Sequence, residues 1–547
     1  MRLSLYFFFF LLSKYYLFGQ IFSYEDSLRG FLNENRKWFD VKYYNLNLDV
    51  NFNNRSISGY NDIFFNVIDS KCVMQLDLDK KLKIDSVVFN NNKLEFRRKF
   101  NSFFLTFSKK LEVNKNYKLR IYYNGTPKEA INPPWDGGFV WLKDYNNFNW
   151  LGVACQGDGA SIWWPCKDHL SDKPDSMRVT CKIPKKLKFI CNGNIESDSL
   201  INDIKRQTTW KISYPINIYN VSLYIGNYVN INDMYFSDND SLFIDYYVIE
   251  GNENIAFNHF KQVKPMLKVY EELFDKYPFW DDGFALIESS YPGMEHQSGI
   301  AYGNNFKNGY LGKYPKNIDF DFIIIHESAH EYWGNSVSVD DICELWIHES
   351  FATYTEALFV EKKYGFESML DYLLHQKKLI KNDKPIIGVH GVNSSGSKID
   401  MYYKGSWMLH SIRNIVLNDS LWFKTIKDFY NVYKFKIIST EDVVKYFSKK
   451  LKYNLEPIFS KFLKSKNLPV LEYYFENNNN INFDLNYKWD IESKNFNMPI
   501  SILIDSQRIL LFPGSEFKKI SLNIKAESQC IFENNYYLYE KLKYKKH

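Results

Sequence analysis

The sequence predicts a multidomain chain in which an all-β region, a mostly helical region and a small β region follow one another. Three observations predict this order. The length of 547 residues exceeds what a single hydrophobic core usually holds. Short runs of alternating apolar and polar residues fill the first part of the chain and return after Pro469. Helical patterns occupy the part between them. We therefore expect a leader segment and three domains, at residues 1–22, 23–228, 229–466 and 467–547.

Period-two alternation characterises the first domain. The runs YYNLNLDVNF at 43–52, SISGYNDIFFNV at 56–67 and YKLRIYYNG at 117–125 are separated by Asn, Gly and Asp. Because successive side chains of a strand point to opposite faces, this alternation is typical of half-buried β-strands. The polar breaks are typical of turns. We expect an all-β domain.

Helical patterns begin after one further strand-like run, SLFIDYYVIE at 241–250. They cover residues 252–277, 318–334, 349–365, 404–417 and 439–451. The last of these opens with STED, in which hydroxyl and acidic residues form a typical helix start. Alternation then returns in VLEYYFE, INFDLNYKWD, PISILID and KKISLNI, which predicts a small C-terminal β-sandwich.

The composition is that of a soluble globular protein, with 45% hydrophobic and 24% charged residues. Lysine and arginine number 69 and acidic residues 64, so the net charge of +5 is small and spread over the chain. A nucleic-acid partner is therefore not expected.

The N-terminal segment has the pattern of an export signal. Arg2 precedes an apolar run from Leu5 to Leu12, and Lys14 interrupts its extension toward a membrane span. No small-residue cleavage site is evident, so an uncleaved membrane anchor and a buried hydrophobic N-terminus stay open beside a cleaved signal peptide. We expect export to the periplasm or the extracellular space, with membrane association only if the segment is retained.

Seven cysteines occur along the chain without CxxC spacing, so neither a zinc ribbon nor a redox motif is predicted. In an exported protein Cys181 and Cys191 could pair across a hairpin. Buried or single thiols are the other interpretation, and both stay open.

The segment FIIIHESAHEYWGNSVSVDDICELWIHES at 322–350 carries the pattern of a metal site. His326 and His330 are four residues apart in a helical segment, so their side chains lie on one face and can reach one cation. Glu327 points differently and suits a general base. Glu349 follows His330 after eighteen residues, and its carboxylate completes a His₂Glu zinc site with an open fourth position. Taken alone, the two histidines could also be solvated side chains on a helix.

Both halves of this segment resemble the aminopeptidase N family of zinc metallopeptidases. HESAHEYWGN is similar to the family's HELAHQWFGN, and LWIHESFATYTEA is similar to its WLNEGFATYxE. The resemblance implies one Zn²⁺ per chain, held by His326, His330 and Glu349.

Four further polar residues of this part of the chain need an interpretation. His348 and Glu331 stand where the family has Asn and Gln, and we expect neither to be a ligand, nor Glu344. Glu356 lies seven residues after Glu349 on the same helical face. It is expected either to orient a ligand histidine or to be a plain surface glutamate.

A second resemblance indicates the substrate. Residues 293–296 read GMEH, similar to the family's Gly-x-Met-Glu-Asn motif, with Gly293, Met294 and Glu295 in place. In the family this glutamate binds the free α-ammonium group of the substrate, a pairing that a blocked N-terminus cannot make. The stretch at 154–175 is similar to a first-domain segment that places Gln156 beside the first substrate pocket. Without the resemblance, Glu295 would be an incidental acid and Gln156 part of an ordinary turn.

The run MYYKGSWML at 401–409 is similar to the family's Tyr-x-Lys-Gly at the start of a helix. Tyr402, Lys404 and Gly405 match that motif. The resemblance implies that Tyr402 donates a hydrogen bond to the developing oxyanion. Tyr403 is adjacent, and the sequence does not decide which of the two is the catalytic tyrosine.

The resemblance covers most of the chain and implies a more detailed fold. We expect an N-terminal all-β saddle, a thermolysin-like α/β, mostly helical catalytic domain and a small C-terminal β-sandwich. Longer relatives add a helical domain that caps the active site, and we expect a more open cleft here.

The expected function is that of a zinc-dependent aminopeptidase acting on peptides with a free N-terminus. A zinc-bound water attacks the first peptide bond, with Glu327 as general base. Two alternatives stay open: a zinc hydrolase of different specificity, either an endopeptidase or an epoxide hydrolase, and a non-catalytic peptide-binding relative. Glu295 argues against an endopeptidase because it leaves no room for residues upstream of the scissile bond. The sequence indicates neither the oligomeric state nor the preferred N-terminal residue.

Overall fold

The structure, a computed structural model, describes residues 22–238, 240–313, 315, 318–394, 396–477, 483–492, 495–524 and 526–542. The expected leader at 1–22 lies, except for its last residue, outside this part of the chain, so its export role stays a prediction. Among the described residues, no helix is both long and apolar enough to cross a membrane.

A β-rich domain follows a short N-terminal helix, α1 (Tyr24–Gly30). Its strands are β1 (Phe39–Asn51), β2 (Ser56–Val67), β3 (Val73–Asp77), β4 (Leu82–Phe89), β5 (Asn92–Leu94), β6 (Phe96–Lys99), β7 (Ser102–Thr106), β8 (Asn116–Gly125), β9 (Gly138–Lys143), β10 (Asn149–Ala154), β11 (Ser176–Pro184), β12 (Lys188–Ile190), β13 (Asn194–Leu200), β14 (Lys205–Ile212) and β15 (Tyr224–Gly226). The described strands form sheets with the orders β13-β14-β11-β1-β2-β8-β4-β5, β3-β7-β6 and β12-β15-β10-β9. In β1 the alternation that predicted a strand corresponds to burial: Tyr44, Leu46 and Leu48 are buried and the residues between them are partly exposed.

The second domain combines a sheet with a helical bundle. Its strands are β16 (Tyr228–Ser237), β17 (Asp240–Ile249), β18 (Phe284–Glu288), β19 (Gly293–Met294), β20 (Gly299–Tyr302), β21 (Ser338–Val339) and β22 (Ile437–Ile438). Its helices are α2 (Glu253–His259), α3 (Val263–Leu273), α4 (Phe322–Ala329), α5 (Trp346–Tyr364), α6 (Phe366–Lys377), α7 (Tyr403–Val416), α8 (Asp419–Tyr433), α9 (Thr440–Leu451) and α10 (Glu456–Lys464).

The sheet of this domain has the order β16-β17-β18-β20-β19, so the short strand β19 forms one edge. β16 pairs along its length with β17, and the domain boundary predicted after residue 228 falls at the first residue of β16. Helix α4 packs against β19 and β20. This packing places the predicted metal-binding helix beside the strand that carries the predicted substrate motif.

The C-terminal region is made of strands, as the alternation predicts. They are β23 (Val470–Asn477), β24 (Phe483–Asp490), β25 (Ile500–Ile504), β26 (Gln507–Leu511), β27 (Lys518–Leu522), β28 (Cys530–Phe532) and β29 (Tyr539–Leu542). The described strands form two sheets, with the orders β27-β24-β23-β29 and β26-β25-β28. Tyr537 packs its ring against Trp407 with centroids 6.1 Å apart, and its backbone N–H bonds the Ser411 hydroxyl at 3.1 Å. The C-terminal region therefore supports α7.

The seven cysteines are all free thiols in the structure, so the pairing of Cys181 with Cys191 is not formed. Cys181 is buried in β11, and the Cys191 thiol donates to the backbone oxygen of Ser222 at 3.0 Å. The single-thiol interpretation describes both residues.

Candidate metal centre

Helix α4 positions the two predicted ligand histidines. Asp321 caps the helix by accepting a hydrogen bond from the N–H of Ile323 at 2.8 Å. His326 lies in the last turn, and His330 is the residue immediately after the helix end. Their Nε2 atoms are 3.1 Å apart, and both side chains are buried. The four-residue spacing therefore brings both imidazoles to one point.

Glu349 reaches the same point from the first turn of α5. Its Oε2 lies 3.3 Å from the Nε2 of His330 and 3.7 Å from the Nε2 of His326. These three residues form a group whose potential ligand atoms all lie within 4.8 Å of one another.

The hydrogen bonds of the two histidine Nδ1 atoms leave both Nε2 atoms available to a metal, and Glu349 Oε2 lies beside them. The Nδ1 of His330 lies 2.9 Å from the carbonyl oxygen of Trp333, which can only accept, so in the neutral imidazole Nδ1 holds the proton and Nε2 the lone pair. Glu349 Oε2 has no hydrogen-bond donor within the described residues. In a tetrahedral zinc site with bonds of about 2.0–2.2 Å, neighbouring ligand atoms lie roughly 3.3–3.6 Å apart. The donor set and its spacing therefore fit Zn²⁺.

The charges around the histidines also favour a cation. Burial alone would lower the pKa of His326, yet Glu349 and Glu356 hold it well above its usual value. Burial acts on His330 in the same way, but Glu349 and Glu295 raise its pKa to about 9. Burial would raise the pKa of Glu349, and the two histidines instead hold it well below its usual value. A buried carboxylate whose ionised form is favoured by positive neighbours is a suitable ligand for a metal ion.

Glu356 supports His326 from the interior and does not lie on the surface. Its Oε1 is 2.6 Å from His326 Nδ1, and the residue is fully buried. Two side chains of α6 donate to its other oxygen, Tyr372 and Gln376. A carboxylate in this position fixes the ring so that Nε2 faces the metal. Tyr372 and Gln376 were not among the predicted residues, because their contact with Glu356 depends on the packing of α6 against α5.

Glu327 is adjacent to His326 in sequence, but its carboxylate lies against the edge strand β19. A methyl group added to Gly293 would come within 2.5 Å of Glu327 Oε1, so only glycine leaves room for this carboxylate. Burial raises the pKa of Glu327, His326 and His330 lower it, and Glu295 raises it. The net result is a pKa of about 7. A buried carboxylate with a pKa near neutrality is suited to accept and return a proton.

Glu295 and Gln156 meet beside the ligand group. Glu295 is buried directly after β19, whose Gly293 and Met294 are also buried. The Gln156 side-chain amide donates to Glu295 Oε1 at 2.6 Å and to Glu349 Oε1 at 3.1 Å. Burial raises the pKa of Glu295. A buried carboxylate of this kind is stabilised by a cationic partner, and an α-ammonium group is one.

Two residues that the sequence analysis missed hold Gln156 in place. Arg29 of α1 donates to the backbone oxygen of Gly157 at 2.9 Å and to Asn393 Oδ1 at 2.6 Å, and it pairs with Asp168 at 3.1 Å. Asp168 in turn accepts a hydrogen bond from the Ser161 hydroxyl at 2.6 Å. Arg29 therefore joins α1, the loop after Gln156 and the catalytic domain. No local pattern in the sequence indicates these contacts.

Tyr402 faces the ligand group. It directly precedes α7, and its ring stacks on that of His326 with centroids 5.9 Å apart. Burial raises its pKa, and the carboxylates of Glu349 and Glu295 add to this rise. Burial raises the pKa of Tyr403 to about 12, and the carboxylate of Glu356, which bonds His326 Nδ1, contributes to this rise. The geometry favours Tyr402 over Tyr403 as the donor at the site.

The residues expected to be non-ligands lie outside the ligand group. Glu331 is buried and accepts hydrogen bonds from Ser298 N at 3.1 Å and Tyr277 Oη at 2.7 Å, so it fixes the turn after β19. His348 is buried, and neither of its ring nitrogens has a hydrogen-bond partner within the described chain. Glu344 lies on the turn before α5 and bonds Thr440.

Two family models match the chain. The one described as the peptidase M1 N-terminal domain matches residues 41–219, and the one described as the peptidase family M1 domain matches residues 258–462. Together they include most of the β-rich domain and the candidate ligands His326, His330 and Glu349.

Curated relatives are similar to this chain over shorter parts of their own length. "Probable aminopeptidase 2" of Sulfurisphaera tokodaii is 22% identical over 518 residues, which cover 88% of this chain and 62% of that protein. "Leucine aminopeptidase 2" of Candida glabrata is 24% identical over 340 residues, covering 60% of this chain and 48% of that protein. "Glutamyl aminopeptidase" of Sus scrofa is 22% identical over 304 residues, covering 51% of this chain and 31% of that protein. The chain therefore spans less than two thirds of the length of each of these relatives.

A solved structure shares the fold. It is a mutant of an M1 zinc metallopeptidase from Deinococcus radiodurans, bound to a Tyr-Ser-Ala substrate, with a TM-score of 0.65 and 18% sequence identity. The match covers 80% of this chain and 96% of that one. The likeness confirms the order of an N-terminal β-rich domain, a helical catalytic domain and a C-terminal β region.

Proposed function

This chain belongs to peptidase family M1, and from that premise we propose that it is a zinc-dependent aminopeptidase acting on peptides with a free N-terminus. One observation carries the proposal. The Gln156 amide bonds both Glu295 and Glu349, so an acid suited to an α-ammonium group lies one side chain away from a metal ligand. A substrate held by its N-terminus at Glu295 has its first peptide bond near the metal.

In the proposed hydrolysis, the candidate residues have separate roles. His326, His330 and Glu349 would hold Zn²⁺, which when bound supplies a Lewis acid that polarises a carbonyl group and eases the ionisation of water. Glu327 accepts the proton of the attacking water and returns it to the leaving amine, a role worth about 10²–10⁴-fold in rate. Tyr402 donates a hydrogen bond to the oxyanion.

Substrates with free and blocked N-termini test this function against its alternatives. We expect hydrolysis of an unmodified peptide at its first bond and at least ~100-fold slower hydrolysis of the N-acetylated form, because Glu295 then faces a neutral amide. A chelator should stop the reaction, and zinc should restore it. Mass spectrometry of the products identifies the bond that is cut. Equal cleavage of both forms, or cleavage at internal bonds, would favour an endopeptidase, and no cleavage would favour a binding protein.

We also propose that the chain is exported through its N-terminal segment. The support is the apolar run after Arg2 in the sequence. The N-terminal peptide of the protein purified from its native cells tests this: loss of the segment supports a cleaved signal peptide, whereas full retention in a soluble cytosolic fraction contradicts export.

A further inference from the structure

A second cluster of potential metal ligands lies apart from the catalytic group. Asp341, Cys343 and His390 each place one potential ligand atom within 4.8 Å of the others. The first two belong to the 3₁₀ turn before α5, and His390 belongs to the segment that follows α6. Carboxylate, thiolate and imidazole together are ligand types that zinc accepts.

The backbone holds this cluster together without an ion. Asp341 Oδ1 accepts a hydrogen bond from Cys343 N at 2.9 Å, which fixes the turn. Asp341 Oδ2 accepts one from Gly391 N at 2.8 Å, which ties the segment carrying His390 to that turn. Cys343 is buried beside these contacts, with only 2% of its surface exposed. The three side chains are therefore brought together by the fold itself.

His390 has a nitrogen available for a metal and a carboxylate to orient its ring. Its Nδ1 lies 3.9 Å from Asp341 Oδ2, and its Nε2 lies 3.5 Å from Glu344 Oε1. Glu344 is buried, and its other oxygen accepts the N–H of Thr440 at 3.0 Å. A histidine that binds a metal through one nitrogen commonly donates from the other to a carboxylate. His326 and Glu356 show the same arrangement in the catalytic group.

Within the described residues, histidine is the only basic residue type that pairs with the acids of this cluster. In the described chain, neither lysine nor arginine forms an ion pair with Asp340, Asp341 or Glu344. Burial raises the pKa of both Asp340 and Glu344, and neighbouring carboxylates raise them further. Burial and the Asp341 carboxylate likewise raise the pKa of the Cys343 thiol. A bound divalent cation reverses this balance and favours the thiolate.

We propose that Asp341, Cys343 and His390 bind a second transition-metal ion, with zinc the preferred metal and Glu344 orienting the imidazole. The thiolate and imidazole select against magnesium and calcium, which prefer oxygen ligands. Three protein ligands leave the fourth position to water. The ion links the segment before Tyr402 to the turn before Glu349. Its binding therefore restricts the motion of both chain segments that lead into the catalytic group. The binding of this ion does not rest on the proposed peptidase function.

Cobalt substitution tests the site, because the catalytic group contains no sulfur. We expect the metal-free protein loaded with Co²⁺ to show a near-ultraviolet thiolate-to-cobalt charge-transfer band. Cys343→Ser and His390→Gln should abolish or strongly weaken this band. The His390 variant keeps the test decisive if Cys343→Ser fails to fold, because the His390 side chain is 61% exposed and its replacement leaves the core intact. The band should persist in Glu349→Gln, which disturbs only the catalytic ion.

Cys72→Ser serves as a matched control, since Cys72 is a free thiol that is partly exposed. Zinc analysis after dialysis should find about two ions per wild-type chain and about one in Cys343→Ser. The proposal is overturned if the wild type shows no band, if the band survives in His390→Gln unchanged, if Cys72→Ser removes it, or if wild type and Cys343→Ser hold equal zinc.

Discussion

At the scale of single residues, the ligand group could be predicted because its pattern is local. His326 and His330 are separated by one helical turn, and Glu349 opens the next predicted helix. Of their partners, helical spacing offered Glu356 as one of two interpretations, whereas Tyr372 and Gln376, which bond Glu356, could not be predicted. Gln156 bonds Glu295 across 139 positions of sequence and Glu349 across 193. Only the family resemblance, and not the residues themselves, indicated Gln156.

The choice between the two adjacent tyrosines leads to a prediction with an internal control. Tyr402→Phe should lower kcat by about 10²–10³-fold, because one donor to the oxyanion is lost. Tyr403→Phe should change kcat little, because it is the ring of Tyr402 that stacks on the candidate ligand His326. Steady-state kinetics on one peptide substrate measures both variants. The assignment is wrong if the Tyr403 variant is the more damaged of the two.

Gly293 gives a second prediction at this scale. Gly293→Ala places a methyl group 2.5 Å from Glu327 Oε1 and must displace that carboxylate. We expect kcat to fall by about 10²-fold with zinc content unchanged, because a shift of about 1 Å at a reacting group has an effect of that size. Gly299→Ala in the neighbouring strand is the control, since its methyl group would meet Ile287 at a tolerable 3.3 Å. Equal activity of the two variants would refute the placement of Glu327.

At the scale of elements, most helices and strands form where periodicity predicts them, but their ends differ. The helix predicted at 252–277 is divided into α2 and α3, joined by the 3₁₀ turn Phe260–Gln262, and it ends at Leu273. The helix predicted at 318–334 is shortened to α4, because Asp321 caps its start and His330 ends it. The periodicity of apolar residues shows which face of a helix is buried, whereas capping residues and tertiary contacts determine where the helix ends.

Helix α1 has a predicted effect on substrate binding through Arg29. Arg29→Ala removes the contacts to Gly157 and Asn393, so the loop that positions Gln156 loosens. We expect KM for a peptide to rise by roughly tenfold, about 1.4 kcal/mol, with a much smaller change in kcat. Arg29→Lys should recover part of the loss.

The matched control for Arg29 is Arg55→Ala, which removes an exposed ion pair with Glu129 in the same domain. It should leave both KM and kcat near the wild-type values. Thermal unfolding of all three variants separates binding from general destabilisation. A fall in kcat equal to the rise in KM would contradict a role confined to positioning Gln156.

At the scale of the whole molecule, the site forms where two domains meet. The β-rich domain supplies Gln156, and the second domain supplies the candidate metal ligands together with Glu295 and Glu327. The order of the domains could be read from alternation and helical periodicity, because both are local properties of the chain. Their relative packing could not, since it depends on contacts such as those of Arg29 that span hundreds of residues.

The central claim is that Glu327 is the general base beside a metal held by three other residues. Glu327→Gln preserves the size of the side chain and removes its basicity. Metal content and peptide turnover of this variant, measured on the same preparation, test the claim most directly. The account predicts wild-type zinc content with turnover reduced by about 10²–10⁴-fold. Near-wild-type turnover with zinc retained would contradict it.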